Sequence, residues 1–267
     1  MTAALPRPES QARGFLRHLN PLAKLAATMP VVVLLVFTDQ ATLPLIFTLI
    51  ALLLLAVGGG LNGRLGLFVF VGLPAAALLM TLGFALWVDP AKVADSATLL
   101  SIGPWTLHVG ALAVGGTTAL RVLSILALSL VGGMTSTGPD VVRAMVQQLR
   151  VPYRIGYTAL AAFRFVPRFG SELETIRKAH RVRGMAGGPG PIAAVQRNVG
   201  YAVPLLASAI RHAERVALSM DARAFGAHPT RTERYEVPFR ARDTVFLLLF
   251  WALTAALFLT VPLGSAQ

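Results

Sequence analysis

Two arginines stand out for what they could grip. Arg183 lies in the run Arg181, Val182, Arg183, Gly184, and Arg223 in the run Asp221, Ala222, Arg223, Ala224, Phe225, Gly226. Each falls at the expected end of a long helix and is followed by small residues that would let another backbone approach. A planar guanidinium can hold a carboxylate through two parallel hydrogen bonds, and partial exclusion of water makes that grip specific. A single arginine in a last helical turn does little more than offset the helix dipole, worth roughly a few tenths of a kcal/mol. Two such ends, forty residues apart, suit paired docking better.

Other chemistries lack their parts. The chain has no cysteine, so disulfides, thiolate metal sites and thiol nucleophiles are excluded. Its lysines, Lys24, Lys92 and Lys178, do not follow glycine, so no phosphate-binding loop ends in Gly, Lys and a hydroxyl residue. Any ATP hydrolysis must come from a partner. The five histidines, His18, His108, His180, His212 and His228, show no metal-ligand spacing. Glu172 and Glu174 face different sides of one helix, and pairing with Arg168, Arg177 or Lys178 is expected of them in place of a catalytic dyad. No catalytic, cofactor-binding or metal-ligating residue is assigned.

The elements that must position these arginines follow from composition. Of 267 residues, 55% are hydrophobic and 13% charged, far from the balance of a soluble domain. Five stretches are apolar enough to cross about 30 Å of hydrocarbon as helices: Leu22 to Thr38, Thr42 to Val57, Leu65 to Val88, Leu107 to Gly132 and Thr244 to Leu263. Arg121 falls inside the fourth and is costly there unless it snorkels or is paired. The glycines at 58–60 and 187–190 read as turns. The net charge is +12, and 17 of the 24 lysines and arginines lie between residues 133 and 242. The first twenty residues hold Arg7, Arg13, Arg17 and His18 without an apolar core, unlike a cleaved signal peptide. The positive-inside rule then puts the N-terminus in the cytoplasm and the C-terminus outside.

The predicted organisation is an all-α integral membrane protein. It has a cytoplasmic N-terminal segment (1–21), four spans (22–132), a cytoplasmic region of three amphipathic helices (133–242), and a last span with a short external tail (243–267). In the cytoplasmic region, Thr137, Gly138, Pro139 and Asp140 supply the signals of a helix start. That first helix should end near Arg150, because Val151 precedes Pro152. The second is expected from Tyr153 to Met185 with a kink at Pro167, and the third from Pro191 to Phe225 with a kink at Pro204.

Several segments resemble the transmembrane T component of energy-coupling factor (ECF) transporters, the family that includes the cobalt and biotin transporter membrane subunits. Leu19, Asn20, Pro21, Leu22, Ala23, Lys24, Leu25 is similar to that family's opening, with Asn20 in place of the usual Asp. Leu149, Arg150, Val151, Pro152, Tyr153 and Arg164, Phe165, Val166, Pro167 resemble the segments that lead into and kink the long coupling helix. The family's paired Ala, Arg, Gly motifs are met by Val182, Arg183, Gly184 and by Ala222, Arg223, Ala224, each departing at one flanking position.

The resemblance implies a scaffold and not a catalyst. Arg183 and Arg223, with Gly184, Ala222 and Ala224 beside them and Arg164, Pro167 and Pro204 in support, would dock two cytoplasmic ABC-type ATPase subunits. Those partners would bind the ATP and magnesium; this chain would bind no cofactor. A small membrane subunit would capture the vitamin or metal, and the setting would be the cytoplasmic membrane of a prokaryote. Rival readings are a membrane-embedded enzyme acting on lipid-linked or peptide substrates, which needs converging acids, histidines or a metal set of which the spans contain almost none, and a basic scaffold on anionic lipid. Nucleic-acid binding is least favoured, since the positive-inside effect accounts for the basic residues and few aromatics accompany them.

Overall fold

A computed structural model describes residues 14–60, 63–89, 93, 96–102, 105–184 and 190–261. The chain divides into two compact units, Met1–Val141 with Val237–Gln267, and Val142–Glu236.

The first unit is built on apolar helices. A 3-10 turn, Phe15–His18, precedes α1 (Pro21–Val36), and α2 (Thr42–Gly58) follows. Next, α3 (Gly63–Leu67) runs through a π-helical turn, Phe68–Gly72, into α4 (Leu73–Ala85). Then come an antiparallel hairpin, β1 (Thr98–Ile102) and β2 (Trp105–His108), and α5 (Val109–Thr135). The unit is completed by α9 (Ala241–Thr260). Three of these helical segments, Gly63–Ala85, Val109–Thr135 and Ala241–Thr260, are long and apolar enough to cross a membrane; α1 and α2 are apolar but shorter, at 16 and 17 residues.

Local chemistry sets these ends. The Asn20 side chain accepts the Leu22 N–H at 2.9 Å and Pro21 opens α1, a favourable cap followed by a residue with no N–H to satisfy. On α5 every fourth residue from Ala111 through Gly115, Ala119, Leu123, Ala127 and Val131 to Thr135 is buried. Gly115 marks the closest approach: a Cβ there would lie 2.7 Å from Thr81 O and 2.7 Å from Ala85 N of α4. Small residues let helix backbones meet where lipid gives no hydrophobic drive to association. The outward faces remain apolar, with Leu53, Leu79 and Leu259 at 63%, 72% and 86% exposure. In water such surface is unfavourable; in a bilayer it is the surface that lipid requires.

The expected spans and the helices coincide closely, with three corrections. Leu107 belongs to β2 and not to a span, so the fourth span starts at Val109; the loop before it contains a hairpin. The third span ends at Ala85, short of Val88. The last begins at Ala241, and its expected end at Leu263 lies outside the described residues. The N-terminal segment also does more than precede a span, since Leu16 and Leu19 are buried at 0% and 1% exposure.

Two polar ties hold α1 and α5 in step. Lys24 Nζ, 1% exposed as a residue, donates to Leu16 O (3.1 Å), Thr135 O (2.9 Å) and Thr135 Oγ1 (3.0 Å). At the other end Arg121 Nη2 donates to Thr38 O and lies 3.6 Å from Asp39 Oδ1. Lys24 to Thr38 and Thr135 back to Arg121 are equal intervals, about 21 Å of helix each. Arg121 is therefore paired at the loop that joins α1 to α2, while α5 continues roughly three turns farther to Val109.

The second unit is helical and thinly buried. α6 (Gly138–Gln148) enters it, followed by α7 (Tyr153–Val182) and α8 (Pro191–Asp221). Thr137 Oγ1 accepts the Asp140 N–H at 3.3 Å, the capping hydroxyl anticipated at the start of α6. The end of α6 has a different cause from the one expected: Arg150 takes φ 55°, and the Val151 N–H turns back to Met145 O. Gly156 lets α7 approach α6, where a Cβ would fall 2.1 Å from Val146 Cγ2. Pro167 and Pro204 lie inside continuous helices.

Candidate functional site

α7 ends at Val182 and α8 at Asp221, short of the predicted Met185 and Phe225; Met185 itself lies outside the described residues. Both ends close through a left-handed residue. Gly184 has φ 71° and Ala224 φ 53°. After α8 the Phe225 N–H bonds Met220 O at 3.0 Å and the Ala224 N–H bonds Asp221 O at 2.9 Å. This is the Schellman pair of a helix C-terminus. After α7 the Gly184 N–H bonds Arg181 O at 3.1 Å, the corresponding inner bond. Arg183 and Arg223 thus occupy one structural position, the residue before the left-handed turn, and both are exposed.

That geometry gives the small residue after Arg183 a local part. Gly184 has nothing within 4 Å of an added Cβ among the described residues. Its part is to adopt positive φ without the penalty a side chain brings, about 1–2 kcal/mol. Ala224 adopts the same conformation and bears that penalty. Val182 and Ala222 are exposed, and Val182 is held in no packing that would conflict with its size.

α7 and α8 pair antiparallel. The Phe165 ring stacks on His212 with centroids 4.2 Å apart, Ser208 Oγ donates to Glu172 Oε1 at 2.6 Å, and His180 meets Tyr201 edge-on at 5.1 Å. Position numbers rise along one helix as they fall along the other. An antiparallel pair puts its two C-termini at opposite ends, so Arg183 and Arg223 are separated by most of α7, about 45 Å along its 30 residues. Glu174 pairs with Lys178 at 2.8 Å, as expected; Glu172, expected to meet a basic side chain, instead takes the Ser208 hydroxyl. Arg164 is exposed on α7 between the two ends.

The surroundings of the two arginines differ. Beyond the His180–Tyr201 contact, no hydrogen bond or ring contact from another helix reaches residues 181–184 among the described residues. The turn after Arg223, in contrast, is clasped by the start of α7. Phe225 lies edge-on to Tyr153 at 5.7 Å and to Tyr157 at 6.5 Å. Arg154 Nη2 donates to Gly226 O at 2.5 Å, and the Tyr153 hydroxyl to His228 O at 2.6 Å. The Arg231 guanidinium covers the Tyr157 ring at 4.3 Å and faces Phe225 at 5.5 Å. The Tyr157 hydroxyl donates to Glu233 Oε2 at 2.5 Å. Burial first, then the hydrogen bond and charge of Glu233, push that hydroxyl up to about 12, so it stays protonated as a donor. Sequence reasoning quotes Tyr153 and Phe225 only within longer segments and does not bring these residues together; the available signal was Tyr153 and Tyr157, four apart on one helix face.

Among the described residues no group of three or more histidines, aspartates or glutamates could hold a metal ion. The arrangement offers two exposed cationic ends and a long lever between them.

Comparison with known proteins points the same way. Residues 12–234 match the family CbiQ, cobalt transport protein. The chain is 25% identical to the energy-coupling factor transporter transmembrane protein EcfT of Streptococcus thermophilus, over 92% of this chain and 94% of that protein. It is 29% identical to the protein of the same name from Limosilactobacillus fermentum, over 87% and 88% of the two chains. A segment of 101 residues is 34% identical to that of Thermotoga maritima, covering 38% of this chain and 37% of the other. With a match across most of its length and an all-helical core faced for lipid, this membrane protein belongs to the CbiQ cobalt transport protein family.

Proposed function

We propose that this chain is the T component of an ECF-type importer. It would couple ATP hydrolysis by two partner ATPases to reorientation of a substrate-binding membrane subunit that takes up a vitamin or transition metal. The observation that carries this reading is the equivalence of Arg183 and Arg223: the same position in the same kind of helix end, exposed, at opposite ends of one antiparallel pair. One protein surface cannot take both across a span of about 45 Å; two similar subunits can take one each. Each guanidinium would enter a carboxylate-bearing groove of one ATPase, and the ATP and magnesium would sit in those partners. When the ATPases move, helices that run continuously through Pro167 and Pro204 transmit the displacement along their length.

The membrane partner is supported by the other face of the lever. α8 buries none of its residues, and Ile192, Val195, Val199, Val203, Leu206 and Ile210 recur at three- and four-residue intervals with 52% to 76% exposure. A stripe of that length is a docking face for an apolar partner, here the substrate-binding subunit. The basic excess of residues 133–242 supports a cytoplasmic placement of this region and of the N-terminus.

The test is affinity purification of the detergent-solubilised full chain from its native membrane, with identification of what accompanies it, beside the double variant Arg183→Ala, Arg223→Ala. Two ATPases and a small membrane protein should copurify with the unaltered chain. The double variant should insert normally and lose most of the ATPase, and single variants should lose less. A chain that purifies alone, or ATPases indifferent to both arginines, would overturn the proposal.

A further inference from the structure

The two coupling ends are built alike but held differently, and the difference assigns a role to residues outside the arginine motifs. We infer that Tyr153, Arg154 and Tyr157 of α7, together with Phe225 and Arg231, are positioning residues that fix the turn carrying Arg223, while the turn carrying Arg183 is left to be ordered by its partner. The docking role of Arg223 in this inference rests on the proposed function; the clasp itself does not.

Phe225 follows Arg223 by two residues and belongs to the same capping turn, since its N–H makes the outer bond of the helix end. Its ring is enclosed by Tyr153, Tyr157 and Arg231. Edge-on aromatic pairs and a cation over a ring are directional, so they set the angle of the turn as well as its position. One residue farther, Gly226 at φ 92° turns its carbonyl to Arg154, and a Cβ there would meet Arg154 Nε at 3.0 Å. Tyr157 is itself anchored on Glu233. Arg223 therefore projects from a turn fixed on both flanks, by α8 before it and by the clasp after it. Preorganisation of that kind lowers the ordering cost of binding. Ala224, the residue with the conformational penalty, lies between Arg223 and Phe225, where the clasp can offset the strain. At the other end, glycine supplies the same turn without the penalty, and no clasp reaches it among the described residues.

The chain has no cysteine, so one introduced cysteine takes a spin label at a chosen site. Full-length protein in detergent or nanodiscs would carry Arg223→Cys or Arg183→Cys, each alone and each with Phe225→Ala or Phe225→Tyr. The label at 223 should be strongly immobilised in the otherwise unaltered chain. Phe225→Ala should mobilise it several-fold, and Phe225→Tyr should keep it ordered, a rescue that depends on the ring. The label at 183 should be mobile throughout and unchanged by Phe225→Ala. In parallel, with Arg223 intact, Phe225→Ala should lower ATPase retention to the level of Arg223→Ala, with no further loss when the two are combined. A label at 223 that ignores Phe225→Ala would overturn the inference. So would equal loosening at 183, which would mean that the variant unfolds the unit as a whole. ATPases that ignore Arg223→Ala and Arg183→Ala while the label at 223 still responds would leave the clasp standing and remove the docking role beneath it.

Discussion

The two units solve opposite problems with the same kind of element. In the first, α5 buries every fourth residue along its whole length, Lys24 and Asp243 are satisfied within the unit, and Arg121 is paired there through Nη2. In the second, α7 buries only Gly156 and Ile176, and α8 buries nothing. A helix that keeps so little of its surface from solvent gains most of its tertiary stability from whatever docks on it. The first unit is thus packed throughout and faced for lipid, whereas the second leaves most of its helical surface open.

The sharpest break of that contrast is to replace one helical glycine in each unit. Gly115→Leu drives a side chain into α4, where even a Cβ meets Thr81 O and Ala85 N at 2.7 Å. Overpacking of this kind costs about 3 kcal/mol, and more where backbone must move. Gly200→Ala, in the exposed middle of α8 with nothing within 4 Å of the new Cβ, should instead stabilise the helix by up to about 1 kcal/mol. Thermal unfolding of both purified variants checks the pair. Opposite shifts in melting temperature are expected, and a tolerated Gly115→Leu would mean that α4 and α5 are not in close contact.

Much of the first unit was legible in the sequence because lipid demands long apolar helices, and that demand leaves a pattern few other constraints imitate. The spans were found to within a few residues. The hairpin at 98–108 was not, since its strands, TLLSI and WTLH, are short and mix apolar with polar residues, and Leu107 reads equally well as the start of the next apolar stretch. In the second unit the helix starts were legible, because Thr137, Pro152 and Pro191 are local signals. The helix ends were placed two to four residues late, and the left-handed turns at Arg150 and Ala224 use residues that carry no such signal. The two arginines were visible from their setting. The Phe225 clasp was not, since it joins residues some seventy positions apart.

A middle-sized effect is expected at the junction of α1 and α9. Asp243, 1% exposed, accepts the Asn20 N–H at 2.7 Å and the Arg240 N–H at 2.8 Å. The Asn20 amide nitrogen lies 3.5 Å from Val237 O and 3.4 Å from Pro238 O. Asparagine can accept from Leu22 and donate to these carbonyls at once; an aspartate could only accept and would face a second carboxylate. Asparagine at position 20 thus has a local reason in this chain. Asn20→Asp should destabilise the first unit by about 2 kcal/mol through lost donors and like charge. The fall in melting temperature should shrink at acid pH, where a proton restores a donor. An unchanged melting temperature would sever the tie between Asn20 and Asp243.

The smallest effect separates the two arginine-bearing helix ends from each other. Ala224 at φ 53° and Gly184 at φ 71° occupy equivalent turns, so exchanging their chemistry should move stability in opposite directions. Ala224→Gly removes the steric cost of the left-handed alanine and should stabilise the α8 end by about 1 kcal/mol, partly offset by the greater freedom glycine has when unfolded. Gly184→Ala should weaken the α7 end by about 1 kcal/mol for the converse reason. Amide hydrogen exchange across residues 176–184 and 214–226 reads each end separately, which global melting does not. Slower exchange around Met220 in Ala224→Gly, with faster exchange around Arg181 in Gly184→Ala, is the expected result. If Ala224→Gly instead accelerates exchange at its end, the clasp depends on the alanine methyl, and the two ends differ in their packing as well as in how firmly they are held.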